Sequence, residues 1–141
     1  MAEQDPAQIA RGVVEAFNNS DWERALALVG NSVYHEVGTQ RRLQGGDAIL
    51  PAMKGWKQAM PDVKGTVTHT IASGNEVVLE VNWKGTHTGP METPGGTIPP
   101  SGRSQTTPAA WIFEFEAGRV KESRQYFDMV TFLQQIGAMP Q

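Results

Sequence analysis

The main change in the period of the apolar residues falls at Pro61, and it limits the fold more than any other feature. Before it, apolar side chains recur at helical spacing; after it, they alternate in twos. Ile9, Val13, Val14 and Phe17 share one face of a helix opened by Asp5-Pro6, a capping acceptor followed by a proline whose missing N–H does no harm there. Ser20-Asp21-Trp22-Glu23 reads as a capping box for a second helix carrying Trp22, Leu26 and Val29 inward. Asn31 to Val37 is a short strand candidate, followed by a turn-rich passage closing on Gly45-Gly46. Asp47 is placed to cap a third helix with the stripe Ile49, Leu50, Met53, Trp56 and Met60, and Pro51 is expected in its first turn.

Beyond Pro61, Thr66, Thr68 and Thr70 alternate with Val67, His69 and Ile71, and Ser73-Gly74-Asn75 turns the chain into a strand with Val77, Leu79, Val81 and Trp83 on one face. A Gly/Pro-rich crossing runs from Gly85-Thr86-His87-Thr88-Gly89 to Pro99-Pro100-Ser101-Gly102-Arg103. Ser104 to Glu116 is a long strand, Ala117-Gly118 a turn, and Arg119 to Phe127 its partner. Met129 to Ile136 is a last helix with Asp128 at its N-cap and Gly137 at its end. Helices followed by strands with one apolar face predict an α+β fold. The expected form is a cone: a curved antiparallel sheet of about four to five strands wrapped over three helices of the N-terminal half, plus a short C-terminal helix. Its open end is a natural pocket.

A length of 141 residues is about one domain, spanning 1–141. A net charge of -3 without a Lys/Arg cluster gives no footprint for nucleic acid or an anionic membrane, and no apolar run approaches a membrane span. Cysteine is absent, which excludes disulfides and thiolate chemistry. The stretch Met1 to Arg11 lacks a basic segment followed by an apolar run, so a cytoplasmic location is expected.

Three histidines carry most of the chemical interest. His87, four residues beyond Trp83, reads either as a proton carrier at the pocket mouth or as a tie for the Gly/Pro loop. His35, between Tyr34 and Glu36, reads as a general base if it points inward and as a surface residue if it points outward. His69 is expected near Glu80 across the hairpin. No HxH or HxxxH spacing supports a metal site, and no nucleotide-binding or GxSxG motif is present. Asp128 is a carboxylate at the sheet's end or simply a helix cap. The turn at Ala117-Gly118 sets the rest: a plain two-residue turn pairs Trp111 with Arg124, whereas a type I turn with Gly118 bulged pairs it with Gln125. The bulged form is favoured by the glycine in second place. It puts Ser123, Gln125 and Phe127 on the wall with Ala109, Trp111 and Phe113.

Ala59-Met60-Pro61-Asp62, the Gly85 to Gly89 box, Pro99 to Arg103, Ala117 to Glu122, and Tyr126-Phe127-Asp128 through Leu133-Gln134-Gln135-Ile136-Gly137 together resemble the SnoaL-like polyketide cyclase family over nearly the whole chain. The resemblance implies an NTF2-like cone, a homodimer, a hydrophobic cavity, no metal or organic cofactor, and cofactor-independent acid-base chemistry on a hydrophobic carbonyl compound. Known members close a ring by aldol condensation, with an aspartate removing a proton alpha to a carbonyl. That aspartate falls on Gln125, a pocket histidine on Trp111, a pocket glutamine on Ala109 and a pocket asparagine on His35.

Two readings follow. In the first, an enzyme uses His35 as general base, Gln125 to orient the carbonyl, and His87 or Asp128 to assist, with Trp111, Phe113, Ala109, Phe127, Trp83, Phe17 and Trp56 binding substrate. In the second, the same cavity is a non-catalytic module for a small hydrophobic molecule. A hydrolase of the epoxide-hydrolase kind ranks last, since its Asp-Arg-Asp grouping is missing. The outer sheet face, with Ala110, Ile112, Arg124 and Tyr126, suits a second copy of the chain.

Overall fold

The computed structural model describes residues 5–139, so positions 1–4 and 140–141 of the expected domain, including the start of the N-terminal stretch, lie outside the described residues. The elements are α1 (Pro6–Asn18), α2 (Trp22–Val29), β1 (Val33–Glu36), β2 (Arg41–Gln44), α3 (Gly46–Ala59), β3 (Lys64–Ser73), β4 (Glu76–Thr86), β5 (Met91–Thr93), β6 (Gly96–Ile98), β7 (Ser104–Glu116), β8 (Arg119–Phe127) and α4 (Met129–Gln135). A short 3-10 turn, Val37–Thr39, joins β1 to β2.

Helices α1, α2 and α4 each start at an aspartate whose side chain accepts from the first turn. The Asp5 side chain accepts from Gln8 N at 2.7 Å while the Gln8 side chain reaches back, a full capping box with Pro6 in the first turn. The second helix is capped by Asp21, whose carboxylate accepts from Arg24 N at 3.1 Å. Ser20, expected to open that box, sits at φ 52° in the left-handed region and cannot serve. The third helix starts two residues earlier than expected: Gly45, at φ 81°, is the N-cap and Asp47 lies inside the first turn. Pro51 is consequently within the helix beyond its first turn.

The main sheet has six strands in the order β2-β1-β8-β7-β4-β3. Every neighbouring pair is antiparallel except β1 with β8, which run parallel. The count exceeds the expected four to five because β2 is Arg-Arg-Leu-Gln, a sequence with no apolar alternation that pairs with β1 across the 3-10 turn. The parallel pair brings the end of the helical half onto the long C-terminal hairpin and completes the cone. Val13, Val14 and Phe17 of α1, Ile49 and Met53 of α3, and Val77, Leu79, Val81, Trp111, Phe113 and Phe115 of the sheet form one core.

The long hairpin reaches the register with Trp111 opposite Gln125 by a different route from the one expected. Ala117 and Gly118 both have positive φ, 52° and 77°, and Glu116 pairs with Arg119 across a two-residue turn. Such a turn matches the twist of the flanking strands. The extra residue enters one step later, where Phe115 pairs with Val120 but Glu114 with Glu122, so Lys121 is the bulge.

The Gly/Pro crossing is clasped at its base. His87 N donates to Arg103 O at 2.9 Å, Gly102 N to His87 O at 2.8 Å, and the His87 Nδ1 lies 2.9 Å from Ser101 Oγ. Within the crossing, β5 pairs with β6, a hairpin too short and glycine-rich to stand out in sequence. Gly89 donates to Ala59 O, and a Cβ there would collide with the Gln58 carbonyl, so the chain passes α3 at backbone distance.

The His87 side chain is fully buried, and burial pushes its pKa below the ordinary histidine value, partly offset by the Gly89 backbone. Unfolding restores the ordinary value, so the unfolded chain binds the proton first as pH falls from about 6.5, and stability drops there. His87→Asn is expected to flatten the dependence of unfolding free energy on pH between roughly 7 and 5; an unchanged slope in urea titrations removes His87 as its source. At the cone wall, a Cβ on Gly65 would approach the Trp83 ring to 2.6 Å. Gly65→Ala is expected to cost about 1–3 kcal/mol by urea denaturation, and a loss near zero refutes the tight packing.

Candidate ligand-binding and acid-base site

The open end of the cone holds a cavity lined by Phe17, Tyr34, Glu36, Met53, Trp56, Met60, Val63, Trp83, Gln105, Thr107, Trp111, Gln125, Phe127 and Phe132. Its volume is about 70 Å³, measured as space open to the centre of a water molecule. Strand alternation supplies the wall. Gln105, Thr107, Ala109, Trp111 and Phe113 point inward from β7, Ser123 and Gln125 from β8, and Tyr34 and Glu36 from β1. Helices α1, α3 and α4 close the other side with Phe17, Met53, Trp56 and Phe132.

One chain of hydrogen bonds crosses this apolar wall. Trp83 Nε1 donates to Gln125 Oε1 at 2.6 Å, and Gln125 Nε2 donates to Tyr34 OH at 2.9 Å. The Tyr34 hydroxyl in turn donates to Glu36 Oε2 at 3.3 Å. The order of donors is forced, because an indole N–H can only donate and therefore fixes which end of the Gln125 amide faces it. Trp83 stands on β4 and Gln125 on β8, with β7 between them. In register Trp83 lies opposite Thr107 and Gln125 opposite Trp111, so the bond runs diagonally across β7, with Ala109 the inward residue between those two.

The chain ends on a buried carboxylate. Glu36 is 2% exposed, and it accepts from Arg41 Nε at 3.1 Å, Arg41 Nη2 at 2.7 Å, Thr39 Oγ1 at 2.6 Å and Trp56 Nε1 at 3.0 Å as well as from Tyr34. Burial of a charge is tolerable only with such partners. Burial pushes the Tyr34 phenol well above its ordinary pKa, with the Glu36 charge adding to the effect. It is a neutral O–H at physiological pH. Nearer the mouth, Thr107 Oγ1 donates to Gln105 Oε1 at 2.5 Å and Gln105 Nε2 faces Met60 Sδ at 3.4 Å. The buried Trp111 Nε1 has no hydrogen-bond partner.

Of the residues singled out from sequence, Gln125, Trp111, Phe127, Trp83, Phe17 and Trp56 meet at this cavity. Phe113 and Ala109 are buried in the same wall but do not line it. His35 does not reach it. With Tyr34 and Glu36 pointing inward, alternation turns His35 to the outer face, between Arg42 and Arg124 on the neighbouring strands. His87 is part of the loop clasp, and Asp128 caps α4 by accepting from Thr131 N at 3.1 Å and Oγ1 at 2.6 Å. Hydrogen bonding to Thr131 holds the Asp128 pKa below the usual carboxylate range. Neither lines the cavity. His69 pairs with Glu80 at 3.1 Å on the exposed face of the sheet.

Tyr34 and Glu36 were missed by the sequence reading. A strand of four residues with a polar group on either face offers no phase to read, and attention to His35 selected the wrong one. The available signal was Arg41, five residues on, able to neutralise a buried carboxylate across a short turn. Among the described residues, no group of three or more His, Asp or Glu is placed to hold a metal ion, and no helix is long and apolar enough to cross a membrane.

Comparison with solved structures gives four instructive likenesses. Wild-type IdmH from Streptomyces antibioticus, a candidate polyketide cyclase, is 26% identical with a TM-score of 0.79 over 95% of this chain and 99% of its own. AclR from Streptomyces galilaeus, a candidate hydroxylase, is 22% identical with a TM-score of 0.78 over 96% and 83%. TsrD from Streptomyces laurentii is 22% identical with a TM-score of 0.79 over 97% and 100%. A ketosteroid-isomerase-like protein from Catenulispora acidiphila, 14% identical with a TM-score of 0.78 over 94% of each chain, places the architecture among ketosteroid-isomerase and NTF2-like folds. No curated protein sequence matches this chain. The model of the SnoaL-like polyketide cyclase family matches residues 7–136, nearly the whole of the cone with its cavity and both long hairpins, and the chain belongs to that family.

Proposed function

We propose that the protein is an enzyme acting on a small hydrophobic carbonyl compound by acid-base chemistry of its own side chains. The observation that supports this most is the polar chain from Trp83 through Gln125 and Tyr34 to Glu36 inside an otherwise apolar cavity. Gln125 occupies the place of the family's aspartate and has no carboxylate to offer. Glu36 supplies one from the neighbouring strand β1, where it pairs in register with Gln125.

In this reading a carbonyl oxygen replaces Glu36 as acceptor of the Tyr34 hydroxyl, whose 3.3 Å bond is the longest of those Glu36 receives. That frees one lone pair of Oε2, which keeps its bond from Trp56 Nε1, to take a proton from the carbon alpha to the carbonyl. The C–H electron pair moves into the carbon–carbon bond and the carbonyl pair onto oxygen, giving an enolate held by the neutral Tyr34 phenol. Returning the proton from Glu36 to the gamma carbon of an unsaturated ketone shifts its double bond; alternatively, attack of the enolate carbon on a second carbonyl closes a ring, and the proton held on Glu36 passes to the new alkoxide. The saturated coordination of Glu36 favours the second reading, a binding module in which the carboxylate is purely structural.

Deuterium exchange at the alpha carbon of 1-indanone, followed by NMR in D2O, separates the two. The enzyme reading expects exchange above the buffer rate and a loss of about 100-fold or more in Glu36→Gln with binding retained. Binding of 1-indanone without exchange supports the module instead. As the resemblance to the family implies, a homodimer is proposed through the outer sheet face, where Ala110, Ile112 and Arg124 are partly covered and Tyr126 is exposed. Light scattering at micromolar concentration is expected to give twice the chain mass, and a monomer there defeats the dimer.

A further inference from the structure

We infer that Trp111 is the specificity-determining donor of the cavity, its indole N–H taking a neutral carbonyl oxygen of the ligand. The inference rests on the carbonyl reading above and adds which atom selects that group. Trp111 lines the cavity, is 3% exposed, and its Nε1 is buried with no partner. An orphaned buried donor costs roughly 1–3 kcal/mol, a cost that a ligand acceptor would relieve.

The surroundings say what kind of group fits. Trp111 is fixed by rings on three sides, with centroids 5.6 Å to Tyr34, 6.4 Å to Trp83 and 4.9 Å to Phe113. It cannot turn to find a partner elsewhere without undoing that packing. Its cross-strand neighbour is Gln125, whose Nε2 carries two hydrogens of which Tyr34 takes one. Two N–H donors are thus unpaired here, the Trp111 indole and the second Gln125 amide hydrogen, whereas the carboxylate and amide oxygens each already hold at least one donor: Glu36 five contacts, Gln125 Oε1 that of Trp83 and Gln105 Oε1 that of Thr107. A ketone or quinone oxygen satisfies this end of the cavity. A cation meets N–H groups, and a hydrocarbon leaves the indole unpaired.

The other tryptophans provide internal controls, because Trp56 and Trp83 already donate to Glu36 and Gln125. The test is proton–nitrogen NMR of the full chain titrated with 1-indanone, its hydrocarbon counterpart indane, and tetramethylammonium. The Trp111 indole signal is assigned by its loss in Trp111→Phe, or by elimination from Trp22→Phe, Trp56→Phe and Trp83→Phe if that variant does not fold. The expected result is a downfield move of the Trp111 proton with 1-indanone and none with indane or tetramethylammonium. Wild type is expected to prefer 1-indanone over indane by about tenfold, and Trp111→Phe to lower that ratio by about threefold or more, the remainder being due to Tyr34.

Movement of the Met53 and Met60 methyl signals by 1-indanone without a shift at Trp111, or an unchanged preference in Trp111→Phe, overturns the inference and leaves the alpha-proton reading intact. Tighter binding of tetramethylammonium than of 1-indanone also overturns it. A Trp111 shift without alpha-proton exchange fails the enzyme reading alone. Binding of none of the three probes overturns both.

Discussion

A carboxylate removed from water must be surrounded by donors, and the Glu36 side chain draws them from four different parts of the chain. Arg41 comes from β2, Thr39 from the 3-10 turn, Tyr34 from β1 and Trp56 from α3. Withdrawing one partner would leave a buried charge uncompensated, an effect on the order of 3–5 kcal/mol in comparable sites. The short strands β1 and β2 contribute little apolar surface of their own. Their placement depends on pairing with β8 and on this one ionic anchor, which also joins the sheet's edge to the helix covering the cavity.

The same anchor organises the chemistry. Tyr34 is held neutral by burial and by the neighbouring charge, and it transmits that charge to Gln125 through a single hydroxyl. Trp83 then fixes the amide from the far side of β7. Each member has its orientation set by the next, so the wall is organised before any ligand arrives. Preorganised polar groups in an apolar, low-dielectric setting act more strongly than the same groups in water.

Much of this was legible in the sequence, and the reasons for the rest are local. Long strands such as β4 and β7 repeat the alternation often enough to fix their inward faces, so Val77, Leu79, Val81, Trp111 and Phe113 could be assigned in advance. The Trp111–Gln125 pairing was reached through the wrong turn geometry, since one extra residue at Gly118 or at Lys121 shifts the register equally. Four-residue strands carry too few repeats to define a phase. That is why His35 was read as the base and its neighbours Tyr34 and Glu36 were passed over. Strand β2 was invisible because its partner, not its composition, makes it a strand. Tertiary hydrogen bonds such as Trp83 to Gln125 join residues 42 positions apart, and no spacing rule reaches them.

The clasp at His87 has an evolutionary consequence. Backbone bonds from His87 to Gly102 and Arg103 fix the two ends of the crossing to each other, so β4 and β7 pair without regard to what lies between. Lengthening a loop whose ends are already closed costs little, about 0.6 kcal/mol per doubling. Descendants of this chain can therefore vary the exposed tip of the crossing around Pro94 to Thr97, while Met91, buried in the core, and Gly89, docked on α3, are held. Diversity at that tip and constancy of the cavity wall can evolve independently.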